Sequence, residues 1–163
     1  MTESRVNLTV VTVMKYVLLA AMTAFLVFQF AGSRVSHTPF QEMEDAVLTA
    51  AVRDPMSEGD NQMIRRIYQL DPDAYEGMTL YYPTSSMSVE EIFLVKLKDT
   101  SQQETVRQAM EDRVASQISV FEGYAPEQVA MLQRSVIEVR GNYLLLVVAE
   151  LPDPVRQAFL KAL

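Results

Sequence analysis

The side chains that could do chemistry are few, and their spacing suits none of the common mechanisms. His37 is the single histidine. It lies in a short polar link, whereas a Ser-His-Asp relay needs an imidazole held rigidly by packed structure. Asp71-Pro72-Asp73-Ala74-Tyr75-Glu76 gathers three carboxylates. A calcium loop spreads alternating oxygen ligands over about twelve residues and ends in a bidentate glutamate. Here the ligands run out at Glu76 and Pro72 stiffens the run, so a helix stop with solvated acids is expected. Glu90-Glu91 and Glu111-Asp112 are adjacent pairs. Neighbours in sequence do not face each other on a helix, and an acid–base pair works across a cleft, so solvated faces are expected. Lys96 and Lys98 share one face of an alternating strand. A lysine base or a serine–lysine dyad is conceivable there, but polar-outward alternation accounts for both. Ser86, Lys96 and Glu122 are the residues to substitute if an unrecognised hydrolase or transferase is to be tested.

The chain contains no cysteine. That excludes disulfides, a thiol nucleophile, cysteine-ligated zinc and a lipoprotein anchor. Glycine-rich phosphate loops, HExxH and GxSxG are also missing from the sequence. No catalytic residue, cofactor or metal site is therefore expected, and the chain reads as non-enzymatic.

The most distinctive loop is Phe121-Glu122-Gly123-Tyr124-Ala125-Pro126-Glu127. Phe121, Tyr124, Pro126 and Glu127 form a candidate interaction site, because loops on rigid scaffolds often carry binding. The alternative is that Tyr124 packs as a hydrophobic staple ahead of a proline-opened helix. Met43, Met63, Met110 and Met131 fall at helical positions and read as core filler.

Acids outnumber bases 21 to 14, a net charge of −7. Such a surface repels nucleic acids and anionic headgroups, so no nucleic-acid partner is expected.

Residues Tyr16 to Gly32, YVLLAAMTAFLVFQFAG, carry no charge. As a helix this run spans roughly 25 Å, and extension back through Val10 reaches the bilayer thickness. Lys15 would then snorkel to the headgroups. The expectation is a signal anchor at residues 1–33, with its helix at about 10–31. A link at 34–39 and an extracytoplasmic domain at 40–163 follow, on a single-pass chain in the cell membrane. Arg5 and Lys15 before the span support that orientation. Ala31-Gly32-Ser33 resembles a cleavage site, so a domain secreted after cleavage near Ser33 is the alternative.

Hydropathy periods define the rest. Phe40, Met43, Val47 and Ala50 or Ala51 mark a helix closed by Asp54-Pro55, and Ser57–Asn61 reads as a turn. Met63, Ile64, Ile67 and Tyr68 mark a short helix ended by Asp71-Pro72. Met78–Tyr82 is a strand, Ser86–Glu91 a helical turn, and Ile92–Lys98 a half-buried strand with Phe93, Val95 and Leu97 inward. Ser101 and Glu104 fit a capping box for a helix with Val106, Met110, Val114, Ile118 and Phe121 inward. Pro126 opens another helix. Val136–Arg140 and Tyr143–Ala149 form a hairpin around Gly141-Asn142, and LLLVV is apolar enough to be covered on both faces. Pro152 and Pro154 open a last helix, with Val155, Ala158, Phe159 and Ala162 inward. The fold expected is α+β: an N-terminal transmembrane helix followed by a mainly antiparallel four-stranded sheet packed with helices, in the order α-α-β-β-α-α-β-β-α.

The run MIRRIYQLDPDAYEGMTLYYPTSSMSVEEIFLVKLKD, followed by FEGYAPEQ and VIEVRGNY, resembles the bacterial family of domain of unknown function 4358 over residues 45 to 163. Members resemble this chain in having one anchor or a lipoprotein signal before the domain; this chain lacks the lipobox cysteine. The family supplies no catalytic residues. Its members' position beside genes for membrane-bound O-acyltransferases implies an accessory role in acylating a surface polymer, with the membrane and such an envelope protein as partners. The functional expectation is thus a membrane-anchored interaction or accessory domain of the cell envelope. A small-ligand or glycan-binding module is the alternative.

Overall fold

Two apolar runs in the chain, EIFLVK and YLLLVV, can be buried only if both of their faces are covered. In the computed structural model, which describes residues 13–23, 35–51 and 56–163, they lie side by side in the interior of a sheet. The strands are β1 (Met56–Gly59), β2 (Gly77–Pro83), β3 (Glu91–Lys96), β4 (Val136–Arg140) and β5 (Tyr143–Val148). Their spatial order is β1-β2-β3-β5-β4, and every pair is antiparallel. The sheet therefore has five strands rather than the four expected. The additional strand, β1, includes most of the segment read as a turn. MSEG has no alternation of its own; pairing with β2, Met56 opposite Pro83 and Gly59 opposite Leu80, holds it extended. Context overrides weak local propensity here.

Helices cover both faces. On one lie α2 (Phe40–Ala50) and α6 (Asp153–Ala162). Met43, Val47, Val155 and Phe159 from these helices bury Ile92, Leu94, Tyr143, Leu145 and Val147. On the other lie α3 (Asn61–Tyr68), α4 (Gln103–Phe121) and α5 (Pro126–Gln133). Ile64, Val106, Met110, Phe121 and Leu132 there bury Phe93, Val95, Leu144 and Leu146. Each such aliphatic or aromatic side chain contributes about 1.5–3 kcal/mol on removal from water. β3 is consequently buried on both faces. The half-buried reading of this strand fails, because α2 and α6 cover the side on which Lys96 lies.

Local chemistry sets the ends of the elements. Asp60 caps α3, accepting from the Met63 amide at 2.8 Å. α3 stops at Gln69, which adopts a left-handed backbone with φ of 56°. Asp71-Pro72, expected to end this helix, instead opens a 3-10 turn at Pro72–Ala74. The capping box ahead of α4 is formed by Asp99 and Gln102 on the 3-10 turn Thr100–Gln102, not by Ser101 and Glu104. The Asp99 carboxylate accepts from the Ser101 amide at 2.7 Å, and the Gln102 amide oxygen accepts from the Asp99 N–H at 3.2 Å. Ser86–Glu91 is not helical: a turn closed by Ser88 N–H to Ser85 C=O occupies the loop, and Glu91 begins β3. The β4–β5 hairpin turns on Gly141, whose φ of 57° is the only positive one of the two loop residues, as a type II′ turn requires.

Residues 13–23 are helical (α1), with exposed side chains. The remainder of the expected anchor, 10–12 and 24–31, lies outside the described residues. Among the described residues no helix is long and apolar enough to cross a membrane. Residues 35–39, in the stretch 34–39 read as a link, form no helix or strand and are tied to the domain by hydrogen bonds. Ser36 N–H donates to Asn142 Oδ1 at 2.8 Å, and Thr38 Oγ1 donates to the Ala162 carbonyl at 2.7 Å. Ser36 Oγ reaches the Leu163 carbonyl at 3.3 Å.

Candidate functional site

β3 begins and ends with a charge, and both charges are buried: Glu91 is 2% exposed and Lys96 6%. Successive side chains of a strand alternate faces, so Glu91 joins the α3/α4 layer and Lys96 the α2/α6 layer. Glu91 is fully enclosed by side chains. It accepts the Tyr68 hydroxyl of α3 and a forked set of bonds from Arg113 of α4, with Nη2 to Oε2 at 2.6 Å and Nε to both oxygens at 3.1 Å. Burial, reinforced by the Glu91 carboxylate, pushes the Tyr68 hydroxyl far above its ordinary range. Burial opposes the charge on Arg113, but Glu91 outweighs it and holds that guanidinium firmly protonated. The ring of Tyr68 stacks on Phe93 with centroids 3.9 Å apart.

Lys96 is paired differently. Its Nζ meets Glu76 at 2.7 Å and donates to the Thr38 carbonyl at 3.1 Å, beside the Tyr143 ring at 5.4 Å. The Tyr143 hydroxyl donates to the same carbonyl at 2.8 Å. Burial, with the carboxylates of Glu76 and Glu42, raises the Tyr143 hydroxyl above its usual range. The half-exposed Glu138 carboxylate partners complete the buried charges: Arg156 at 2.6 Å and Arg140 at 2.8 Å hold Glu138 at the edge of the sheet.

Arg113 is also the saddle between two clefts along α4. One, of about 480 Å³, lies between α3 and α4 and is lined by Gln69, Gln108, Asp112 and Arg113. The other, of about 340 Å³, lies between the second half of α4 and the loop after β2, and is lined by Arg66, Ser85, Ser86, Arg113, Gln117 and Val120. The α4 positions involved, from Thr105 and Gln108 through Asp112 and Ser116 to Val120, recur at helical spacing and form a second face beside the core stripe. A third cleft, about 320 Å³, lies beside Ile92, Val147 and Leu151 with Glu90 and Glu150 on its rim.

The candidate loop residues separate. Phe121 is buried at the end of α4, and Tyr124 packs on it at 5.6 Å while remaining 57% exposed. Gly123, with φ of 91°, permits the reversal between them. Pro126 and Glu127 occupy the exposed first turn of α5. Tyr124 is thus both packed and presented, and Phe121 borders the 340 Å³ cleft. The remaining candidates are dispersed. His37 is exposed. Asp71 and Asp73 pair with Arg65 at 2.7 and 3.0 Å, and the hydrogen bond from Arg65 holds Asp71 below the usual carboxylate range. Glu111 pairs with Arg107, Asp112 accepts from Gln108 at 2.9 Å, and Lys98 donates to the Asp73 carbonyl at 2.7 Å. Among the described residues no group of three His, Asp or Glu side chains could hold a metal ion. Sequence reasoning missed Glu91 and Lys96 as buried groups and missed Arg66 and Arg113 altogether. The one available signal was that a strand apolar at four successive positions begins and ends with a charge.

No curated protein and no solved structure matches the chain. The family described as Domain of unknown function (DUF4358) matches residues 50–149, well over half of the 163-residue chain. That stretch runs from β1 through β5 and includes Glu91, Arg113 and both walls of the 340 Å³ cleft, and on this match the chain belongs to the DUF4358 family.

Proposed function

We propose that this chain is a non-enzymatic binding module, tethered by its N-terminal apolar helix at the bacterial cell envelope, which docks a partner protein on the face around the end of α4. The observation that carries this reading is a group of exposed side chains at and beside one cleft: Val120 on its wall, Tyr124 packed on the lining residue Phe121, and Met87 between the lining residues Ser86 and Ser88. Val120 and Tyr124 are 56% and 57% exposed, and Met87 in the facing loop is 57% exposed. Methionine, tyrosine and arginine are the residues enriched in protein interfaces, and Arg66 and Arg113 line the same cleft. The fold beneath is rigid, because the buried Glu91 cluster joins α3 and α4 to β3. The tether rests on the uncharged run Tyr16–Gly32 and on the exposed apolar side chains of α1. Tethering raises the effective concentration of a weak binder near membrane partners. A membrane-bound O-acyltransferase is the partner that the family resemblance suggests.

The test is site-specific photocrosslinking from position 87 in intact cells, with fractionation and external protease treatment in parallel. One discrete membrane-protein adduct is expected, lost on Tyr124→Ala or Val120→Glu, with the domain protease-accessible. An intact, uncleaved chain found free in the cytosol, or crosslinks unchanged by both substitutions, would overturn the reading. A second reading, a small-ligand or glycan-binding module, is favoured by the 480 Å³ cleft, whose lining includes the amide and carboxylate side chains of Gln69, Gln108 and Asp112. Neutral oligosaccharides binding to wild type and not to Gln69→Ala would select it.

A further inference from the structure

We infer that the cleft between the second half of α4 and the loop after β2 is a binding site for a single oxyanion, a carboxylate or phosphate group. The argument begins with charge. The protein has 21 acidic side chains and a net charge of −7, yet no carboxylate lines this cleft, while two guanidinium groups do, Arg66 and Arg113. Of the three clefts described, the other two each present at least one acid: Asp112 in one, Glu90 and Glu150 in the other.

The two arginines have complementary states. Arg113 is fixed in place, since its Nε and Nη2 are committed to Glu91. Its Nη1 makes no hydrogen bond among the described residues, and its side chain keeps 19% of its exposure. A guanidinium locked from behind loses little freedom when its remaining edge meets an anion. Arg66 supplies the uncompensated charge. Among the described residues it pairs with no carboxylate, and its one polar contact there is the weak thioether acceptor of Met63 at 2.8 Å. Neutral donors share the lining: Ser86 and Gln117 make no side-chain hydrogen bond among the described residues. Guanidinium and hydroxyl donors lining one cleft are the groups that recognise an oxyanion; Arg113 is already matched by Glu91 and the lining Ser88 hydroxyl donates to Glu90, so the charge left to attract an anion is that of Arg66. The acidic surroundings repel polyanions, so one isolated anionic group fits better than a polymer of them.

Such a group has two sources: a small free anion, or an acidic side chain of a protein docked on the same face. The second source rests on the docking face proposed above; the first does not. The experiment is a titration of the isotope-labelled chain, at low ionic strength with chloride as reference. The probes are inorganic phosphate, acetate, and a short peptide with one glutamate between leucines, alongside its glutamine counterpart. The expected result is resonance shifts confined to 85–88, Arg66 and the Arg113 side chain. Affinity should fall about tenfold or more in Arg66→Gln, as loss of one charge-assisted hydrogen bond implies, and stay unchanged in Lys161→Gln, which removes the same charge from α6. Phosphate or acetate binding that Tyr124→Ala leaves intact assigns the site to a free anion. Selective binding of the glutamate peptide, weakened by both Arg66→Gln and Tyr124→Ala, assigns it to a docked protein. Equal affinities of wild type and Arg66→Gln for every probe overturn the inference. A failed crosslink at position 87 with anion binding preserved overturns the docking face alone.

Discussion

The two ends of β3 solve one problem in opposite ways. Glu91 is enclosed by side chains alone: Tyr68 from α3 and a forked Arg113 from α4. Lys96, five residues along and on the other face, relies on a main-chain carbonyl at Thr38 and on Glu76, whose side chain is 49% exposed. The first arrangement is closed, so removal of Glu91 or Arg113 strands the other's buried charge. The second is open at one side, so water can replace Glu76. The lesson is that equal burial does not mean equal dependence. The Glu91 end joins two helices to the sheet, while the Lys96 end pins the segment 35–39, whose other bonds, at Ser36 and Thr38, survive without it.

The largest effect should come from Glu91→Ala. Stranding Arg113 costs about 3–5 kcal/mol, the usual result of removing one member of a buried pair. Urea unfolding measures it, and the double substitution Glu91→Leu with Arg113→Met should recover most of the loss. If the single variant loses less than about 1 kcal/mol, the contrast between the two ends disappears. Next is Gly77→Ala on β2, directly opposite Lys96. A Cβ there would lie 2.5 Å from the ring of Phe40, forcing α2 outward at about 1–3 kcal/mol. Alkaline titration follows. Tyr68 and Tyr143 have folded pKa values raised above the unfolded value. The unfolded chain therefore holds fewer protons than the native one above pH about 10. Their stabilisation is complete below that pH and declines as pH rises toward the folded values. Tyr68→Phe should flatten this decline more than Tyr143→Phe, because only Tyr68 also faces a buried carboxylate; stability against pH tests it. The smallest effect should be Lys96→Met, about 1 kcal/mol, since Tyr143 still serves the Thr38 carbonyl and Glu76 rehydrates. Hydrogen exchange at the Ser36 amide should quicken without global unfolding.

The parts of this fold governed by local pattern were legible in the sequence. YLLLVV announced a covered strand, Gly141-Asn142 a tight hairpin, and Val106, Met110 and Phe121 the buried stripe of α4. Parts governed by distant partners were not. β1 has no hydropathy signal and exists through its pairing with β2. The Ser86–Glu91 stretch looked like a helical turn because nothing local reveals that Glu91 is held by residues 23 and 22 positions away. Lys96 passed for a solvated lysine because its acceptor at Thr38 lies 58 positions upstream. The α4 helix shows the same limit within one element. Its core face was read correctly, whereas its second face consists of residues such as Gln108, Asp112, Arg113 and Ser116 that any solvated helix carries. Only the placement of α3 and the loop after β2 turns that face into cleft walls.

The bonds of Ser36 and Thr38 tie the first described residues of the domain to its last ones. Residues 35–39 and Ala162–Leu163 thus gather at the Lys96 pole of β3. The 340 Å³ cleft belongs to the Glu91 pole, about 17 Å away along the strand. Strain applied at Val35 or at Leu163 therefore arrives at one extremity of the strand, while the arginine-lined cleft occupies the other. A reporter fused after Leu163 would crowd the first extremity and leave the cleft clear.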